Sequence, residues 1–172
     1  KIAEVGRWFG LGEKTEIEIP GERAGLMPTR AWRQRRFGSP WLQGETLVAG
    51  IGQGYVLTTP LQLAVMTARM VNGGRQVVPH LGFNQPNSIA NIPIAPKWLR
   101  LMKDSMDAVT NAPFGTAARS QLANPAFAMG GKTGTAQVRR ITMAQRAEGL
   151  LSQDQLPWKY RHHALFVGYA PI

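Results

Sequence analysis

The chain has 172 residues, of which 44% are hydrophobic and 17% charged, a composition typical of a folded domain with its own core. It contains no cysteine, which excludes disulfides and thiolate metal sites. The sequence has no apolar run long enough to span a membrane and does not open with a signal peptide. Its net charge of +10 favours an anionic partner or a basic solvated surface.

The first 46 residues predict one helix, one strand and one long loop. Apolar residues recur at helical spacing at the very start (Ile2, Val5, Trp8 and Phe9). A polar-apolar alternation at 16–19 predicts a strand that ends at a Pro-Gly turn. Residues 21–46 are rich in Gly, Pro, Arg and Trp and predict a long ordered loop.

The next segment has a strong helix-start signal. With Thr59 as the N-cap, Pro60 takes the first helical position and Gln62 the third, which makes a capping box. The helix is predicted to run to about Val71, to be buried in the core, and to end at the Asn-Gly-Gly stretch of 72–74. A strand is predicted to follow at 76–81.

The second half predicts another helix and a pair of strands. The helix starts near Pro96, and its apolar stripe is expected in the core (Trp98, Leu101, Met102, Met106 and Val109). Residues 132–140 have strand character, 143–150 have helical character, and the apolar 164–170 predict a buried strand. Two strands joined in this way should pair antiparallel, giving an α+β layered domain.

A Gly-Gly-Lys-Thr-Gly-Thr stretch at 130–135 invites comparison with a phosphate-binding loop, but its spacing differs. Such a loop needs a further glycine at a fixed distance before its Gly-Lys pair and a helix directly after it. Ala126 stands at the glycine position, and Gly134 with the alternating residues after it opposes helix initiation. The sequence therefore favours a strand here over a nucleotide site.

The residues do not call for a cofactor, and we expect none. His162 and His163 are adjacent, so on a strand they face opposite sides and cannot chelate one metal ion together, while His80 stands alone. One basic cluster interleaves arginines with aromatic residues, as some nucleic-acid binders do (Arg30, Arg33, Arg35, Arg36, Trp32 and Phe37). A single short cluster beside a proline-rich turn does not indicate that function, and we expect no metal and no nucleic-acid partner.

The triplet Lys132-Thr133-Gly134 is found in active-site serine penicillin-recognising enzymes, beside Ser-x-x-Lys and Ser-Asp-Asn motifs. With the Thr-Ala-Gln that follows, it resembles the third motif of class B penicillin-binding proteins. Residues 50–64 (GIGQGYVLTTPLQLA) are similar to the helix entry upstream of that motif. Residues 27–32 (MPTRAW) and 41–46 (WLQGET) resemble the elongation-specific subgroup. The match runs in family order along the whole chain.

The resemblance implies an α+β fold of the penicillin-binding transpeptidase and serine β-lactamase type, incomplete in this chain. It implies a D,D-transpeptidase that cross-links peptidoglycan stem peptides ending in D-Ala-D-Ala through a serine acyl-enzyme, which β-lactams also acylate. It further implies a periplasmic domain anchored to the bacterial inner membrane, with membrane proteins of the elongation complex as partners.

The resemblance also implies roles for residues of the Lys132 strand. An exposed strand can bind the extended stem peptide by β-augmentation, and Gly134 allows the peptide backbone to approach closely. The Thr135 N–H is implied as an oxyanion-hole donor, and the Thr133 and Thr135 hydroxyls as ligands of the terminal carboxylate. Lys132 is implied to point toward the serines of the other two motifs and to help shuttle protons. Gln137 is implied to reach the peptide.

The other two motifs are missing from the sequence. The chain has five serines (Ser39, Ser88, Ser105, Ser120 and Ser152). None has Lys three residues later or Asn two residues later. We therefore expect 1–172 to be the C-terminal part of one transpeptidase domain, preceded by both motifs, followed by a last strand and helix, and inactive alone. Two alternatives stay open: a serine β-lactamase, which shares the triplet, and a non-enzymatic basic binding module.

Overall fold

The computed structural model describes residues 1–82, 90–139, 141–147, 149 and 151–172. Six α-helices and two β-strands form within these ranges: α1 (Ile2–Trp8), α2 (Arg30–Phe37), α3 (Gln43–Gly50), α4 (Pro60–Val71), α5 (Pro96–Asn111), β1 (Gly130–Ala136), α6 (Met143–Ala147) and β2 (His163–Tyr169). The predicted α+β class is confirmed. None of the described helices combines the length and the apolar character that crossing a bilayer requires.

Helix α4 has the capping arrangement that its sequence predicts. The Thr59 hydroxyl accepts the backbone N–H of Gln62 at 3.1 Å, and the Gln62 side-chain oxygen accepts the N–H of Thr59 at 3.0 Å. Pro60 occupies the first turn, where its missing N–H costs nothing. The Gln62 side chain is fully buried and donates to the carbonyls of Glu13 and Ala24 at 2.7 and 2.8 Å. One satisfied buried amide therefore joins the start of α4 to two loop segments.

The core lies where α1 and α5 meet the chain around Ile92. Its buried centre consists of Phe9, Ile92 and Leu99. Half-buried apolar side chains pack around that centre (Val5, Trp8, Met66, Met70, Ile94 and Met102). Arg69 joins α4 to α1 as well, because its guanidinium donates to the Trp8 carbonyl at 2.9 Å.

The buried face of α5 agrees with the predicted apolar stripe at Met102 and Met106 but differs from it near both ends of the helix. Trp98 and Leu101, which the stripe places in the core, are 53% and 54% exposed. Leu99 and Thr110 are buried instead. Burial of Thr110 is tolerated because its hydroxyl donates to the carbonyl of Met129, directly before β1. That bond joins the end of α5 to the start of β1.

Strands β1 and β2 pair antiparallel, as predicted, with Gly130 opposite Tyr169 and Ala136 opposite His163. The predicted extension of β1 to residue 140 is wrong within the described residues, because the strand ends at Ala136. Beyond that end, the Val138 N–H donates to Nδ1 of the His162 side chain at 3.1 Å and not to a main-chain carbonyl of β2.

The prediction that the terminal strand is buried is also wrong. Leu165 and Phe166 of β2 are 37% and 44% exposed. In the described residues, β1 is the only strand that pairs with β2. On the side of α4, residues of β2 line an open groove of about 410 Å³. Apolar composition alone therefore overestimated how much of this strand is covered.

Two strands predicted in the first half do not form. At 16–19 the extended run is broken by Glu16, whose φ of +65° lies in the left-handed region. Directly before 76–81, an isolated bridge between Arg75 and Asn91 is the only bridge described for this part of the chain. Within the segment, the Val77 carbonyl accepts from the Arg69 guanidinium at 3.1 Å and not from a neighbouring strand.

The loop predicted at 21–46 contains α2 and the first turn of α3. Thr29 caps the start of α2 through its hydroxyl, which accepts the N–H of Trp32 at 3.1 Å, and Gly38 caps the end in the left-handed conformation. Because the segment is rich in Gly, Pro, Arg and Trp, the sequence analysis missed both the N-cap threonine and the C-cap glycine. Of the helix predicted at 143–150, α6 covers Met143–Ala147, while residues 148 and 150 lie outside the described residues.

Candidate active site

The outer edge of β1 is the main-chain side that faces away from β2. N–H and C=O groups of alternate residues point to the same side of a strand. The Val138 N–H points to the β2 side, where it bonds His162. The main-chain groups of Thr133, Thr135 and Gln137 therefore face the outer edge. An extended peptide can add to a sheet at an edge of this kind.

Side chains occupy two carbonyls of this outer edge. The Gln53 amide donates from Nε2 to the Thr135 carbonyl at 2.6 Å, and the Gln137 N–H lies 3.5 Å from Gln53 Oε1. The Lys132 ammonium donates to the Thr133 carbonyl at 2.7 Å. A peptide that adds to this edge needs free main-chain groups, and these two carbonyls are already bonded by side chains.

The two threonine side chains share one face of β1, as the period of a strand requires. Thr133 is half-buried and Thr135 is exposed. The Thr133 hydroxyl lies 3.3 Å from the hydroxyl of Thr116, which follows the end of α5. Sequence reasoning missed Thr116, since nothing in its local pattern marks it. Lys132 is exposed on the opposite face of β1, and Gln137 is exposed directly after the end of the strand, so the predicted residues lie in one short segment but not on one face.

The glycines of β1 differ in what surrounds them. A Cβ built on Gly131 would lie 2.2 Å from the Phe166 ring and 2.7 Å from the Val167 carbonyl oxygen, so packing against β2 requires glycine there. A Cβ built on Gly134 would meet only the Leu165 side chain, at 3.8 Å. Intramolecular packing therefore leaves open space at Gly134, where a ligand backbone can approach.

Residues of the basic-aromatic cluster of α2 contact other parts of this chain, at Glu45 and Tyr55. The Arg33 guanidinium bonds the Glu45 carboxylate at 2.7 Å and lies 4.4 Å from the centre of the Phe37 ring. The Tyr55 ring packs 5.1 Å from that of Trp32. The pKa of Glu45 lies below its ordinary value, mainly because its carboxylate accepts the Leu42 N–H and, to a smaller extent, because it bonds Arg33. Interleaving of arginine and aromatic residues here thus has a structural cause.

Three serine hydroxyls of the described residues bond to groups other than lysine. Ser39 accepts from Arg33 at 2.8 Å, Ser105 donates to the carbonyl of Leu101 at 2.7 Å, and Ser152 donates to a side-chain amide at 3.1 Å. These are local structural bonds. Ser88 lies outside the described residues.

Comparison with known proteins gives consistent matches. The family model of the penicillin binding protein transpeptidase domain matches residues 1–172. The peptidoglycan D,D-transpeptidase MrdA of Acinetobacter baumannii is 37% identical over 186 residues, covering 99% of this chain and 26% of that protein. The chain therefore spans about a quarter of the length of the curated relatives it matches.

Solved structures agree with the sequence relatives. The chain is similar to the crystal structure of Pseudomonas aeruginosa PBP2 in complex with WCK 5153, with a TM-score of 0.79 and 34% identity over 98% of this chain and 35% of that one. It is similar to PBP2 of Helicobacter pylori in a complex with MreC, with a TM-score of 0.78 and 30% identity over 99% of this chain and 31% of that one. The chain belongs to the penicillin-binding protein transpeptidase domain family.

Proposed function

We propose that this chain is the C-terminal portion of a D,D-transpeptidase domain of the PBP2 type, which cross-links peptidoglycan stem peptides. The outer edge of β1 carries the proposal, because it presents the main chain of Thr133 and Thr135 away from β2, next to their hydroxyls. A stem peptide that ends in D-Ala-D-Ala is extended and bears a carboxylate. Such a peptide adds to a strand edge through main-chain hydrogen bonds.

The side chains along this edge suit the end of that peptide. The Thr133 and Thr135 hydroxyls bind its terminal carboxylate. The Thr116 hydroxyl, 3.3 Å from the Thr133 hydroxyl, orients the Thr133 hydroxyl. The open space beside Gly134 admits the peptide backbone. Gln137, at the end of the same edge, contacts the peptide further from its carboxylate.

The chemistry is acyl transfer through a serine in the part of the protein outside these residues. The serine oxygen bonds to the carbonyl carbon of the penultimate D-alanine while the serine proton passes to a base. The C–N bond then breaks as the base passes that proton to the nitrogen, and the terminal D-alanine leaves with a free amino group. An amine of a second stem peptide attacks the resulting ester, and the serine oxygen regains its proton.

Two groups of β1 assist that transfer. The Thr135 N–H donates to the oxygen on which negative charge develops, and one such donor is commonly worth about 10²–10³ in rate. The exposed Lys132 ammonium, which bonds the Thr133 carbonyl here, supplies positive charge to the cleft and helps proton transfer at the serines. In a partly desolvated cleft that charge acts more strongly than it does in water.

The comparisons also support a proposal about partners and location. The solved structure of the Helicobacter pylori relative is a complex with MreC, and the curated relatives from Acinetobacter baumannii and Escherichia coli are named peptidoglycan D,D-transpeptidases. The full-length protein is accordingly proposed to act in the periplasm, anchored to the inner membrane, with membrane proteins of the elongation complex.

Labelling with a fluorescent penicillin tests the proposed function. The full-length protein should form a long-lived covalent adduct that peptide mapping places on a serine outside residues 1–172. The 172-residue chain alone should form none. An adduct mapped to Ser39, Ser88, Ser105, Ser120 or Ser152 would contradict the proposal, and rapid loss of the adduct with turnover of penicillin would indicate a β-lactamase instead.

A further inference from the structure

The side chain of Gln53 lies on the outer edge of β1, where the peptide is proposed to bind. Its Nε2 donates to the Thr135 carbonyl at 2.6 Å, and its Oε1 lies 3.5 Å from the Gln137 nitrogen. One residue of an added parallel strand would make the same pair of bonds, with its N–H to a carbonyl and its C=O to the N–H two residues on. The side-chain amide of Gln53 therefore substitutes for the main-chain N–H and C=O of one residue in a neighbouring strand.

The loop that presents Gln53 is held in place on both sides. The Gln53 N–H donates to the carbonyl of Val48, near the end of α3, at 3.0 Å. Gly54, with a φ of +74°, allows the turn, and a Cβ built on it would lie 2.9 Å from the Val48 side chain. The next residue, Tyr55, packs on Trp32 in the cluster of α2. The position of the Gln53 amide thus follows from packed structure.

The register of the substrate follows from the roles proposed for β1, so this inference rests on the proposed function. A carboxylate at Thr133 directs the C-terminal end of the peptide toward the start of β1, and the peptide then runs antiparallel to the strand. Opposed residues in an antiparallel pair can exchange both main-chain bonds. When the Thr135 N–H binds the carbonyl of the penultimate D-alanine, the N–H of that residue faces the Thr135 carbonyl. Gln53 occupies this acceptor in the free protein.

We infer that Gln53 is a specificity-determining residue whose amide holds the Thr135 carbonyl until the N–H of the penultimate substrate residue replaces it. A ligand that carries this N–H must displace Gln53 before it gains its own bond to the Thr135 carbonyl. A ligand without this N–H leaves the Gln53 bond in place. Gln53 therefore reduces the difference in acylation rate between ligands that carry this N–H and ligands that lack it.

Two β-lactams separate these cases in the full-length enzyme. In a β-lactam the serine attacks the lactam carbonyl, which corresponds to the carbonyl of the penultimate D-alanine. In benzylpenicillin the carbon next to that carbonyl bears an acylamido N–H, which corresponds to the N–H of the penultimate D-alanine. A carbapenem carries a hydroxyethyl group there and lacks this N–H. The measured quantity is the ratio of second-order acylation rates, benzylpenicillin over carbapenem. It is determined for wild type, Gln53→Ala, Gln53→Glu and, as a control for loss of an exposed glutamine, Gln34→Ala.

Both Gln53 variants lose the donor to the Thr135 carbonyl, so the rate ratio should rise by about two- to tenfold, the value of one hydrogen bond. Gln53→Glu keeps the length of the side chain, which separates loss of the donor from loss of bulk. The ratio in Gln34→Ala should match wild type. If the ratio does not rise in the Gln53 variants although wild type is acylated, or if both rates fall equally, the inference is wrong and the proposed function stands. If neither β-lactam acylates wild type, the proposed function itself fails.

Discussion

The hydroxyl of Thr116 lies 3.3 Å from the hydroxyl of Thr133 on β1. The residue after Thr116 is fixed at the end of α5, because the Ala117 N–H donates to the Val109 carbonyl at 2.9 Å. A hydroxyl carries one proton and two acceptor lone pairs. When Thr116 donates to Thr133, the proton of Thr133 remains available for a carboxylate. The contact therefore orients the group that is proposed to bind substrate.

Replacement of Thr116 tests this contact. Thr116→Val keeps the shape and removes the hydroxyl, so the second-order acylation rate of the full-length enzyme with a penicillin should fall about two- to tenfold, as for one lost hydrogen bond. Thr116→Ser keeps the hydroxyl and should stay within about twofold of wild type. Equal rates for the valine variant and wild type would mean that Thr116 does not orient Thr133.

Two glycines of β1 should respond differently to the same substitution. Gly131→Ala should lower the melting temperature markedly, because its Cβ would lie 2.2 Å from the Phe166 ring. Gly134→Ala should change the free energy of unfolding by less than about 0.5 kcal/mol, as at an open surface site. It should nevertheless slow acylation, because a methyl group would enter the space proposed for the peptide backbone. Normal acylation in Gly134→Ala would contradict a close approach of substrate at that residue.

The ion pair between Arg33 and Glu45 predicts a pH dependence of stability. The backbone bond from Leu42, followed by Arg33, holds the Glu45 pKa below its ordinary value of 4.5. A carboxyl whose pKa is lowered by folding contributes its full stabilisation above that ordinary value and loses it as pH falls through the lowered pKa. Glu45→Gln should therefore lower the melting temperature most at neutral pH.

Thermal melts of wild type and Glu45→Gln, recorded from neutral pH down in steps to well below 4.5, measure this dependence. The difference in melting temperature between the two proteins should shrink as the carboxyl becomes protonated. A difference that stays constant with pH would show that the Glu45 charge does not support the cluster around Arg33.

Local patterns allowed the sequence to predict the elements whose causes are local. The capping box of Thr59 and Gln62 is set by residues close in sequence, and the structure confirms it. The strand pair was predictable because the residues after Gly134 alternate between polar and apolar and residues 164–170 form a short, mostly apolar run. The buried bonds from Gln62 to Glu13 and Ala24 depend on how distant segments pack, and local sequence contains no signal for them.

The misses have the same physical origin. The buried face of α5 is chosen partly by the bond from Thr110 to the chain entering β1, so a polar residue replaced an apolar one in the predicted stripe. Gln53 reaches Thr135 across 82 residues of sequence, and only the fold brings them together. The glycines that flank Gln53 were a usable signal, since they mark a loop with special backbone conformations.

The acylation kinetics of substitutions at Lys132 and Thr133 in the full-length enzyme test the central claim most directly. Lys132→Ala should acylate far more slowly with a penicillin, because no other cation lies within that part of the strand. Thr133→Ser keeps the hydroxyl that binds the carboxylate, so its acylation rate should fall only slightly. Thr133→Val keeps the shape without the hydroxyl and should weaken carboxylate binding by about 1–3 kcal/mol. If Thr133→Val acylates like wild type while Thr133→Ser does not, packing matters at this position and β1 is not the strand that binds the substrate carboxylate.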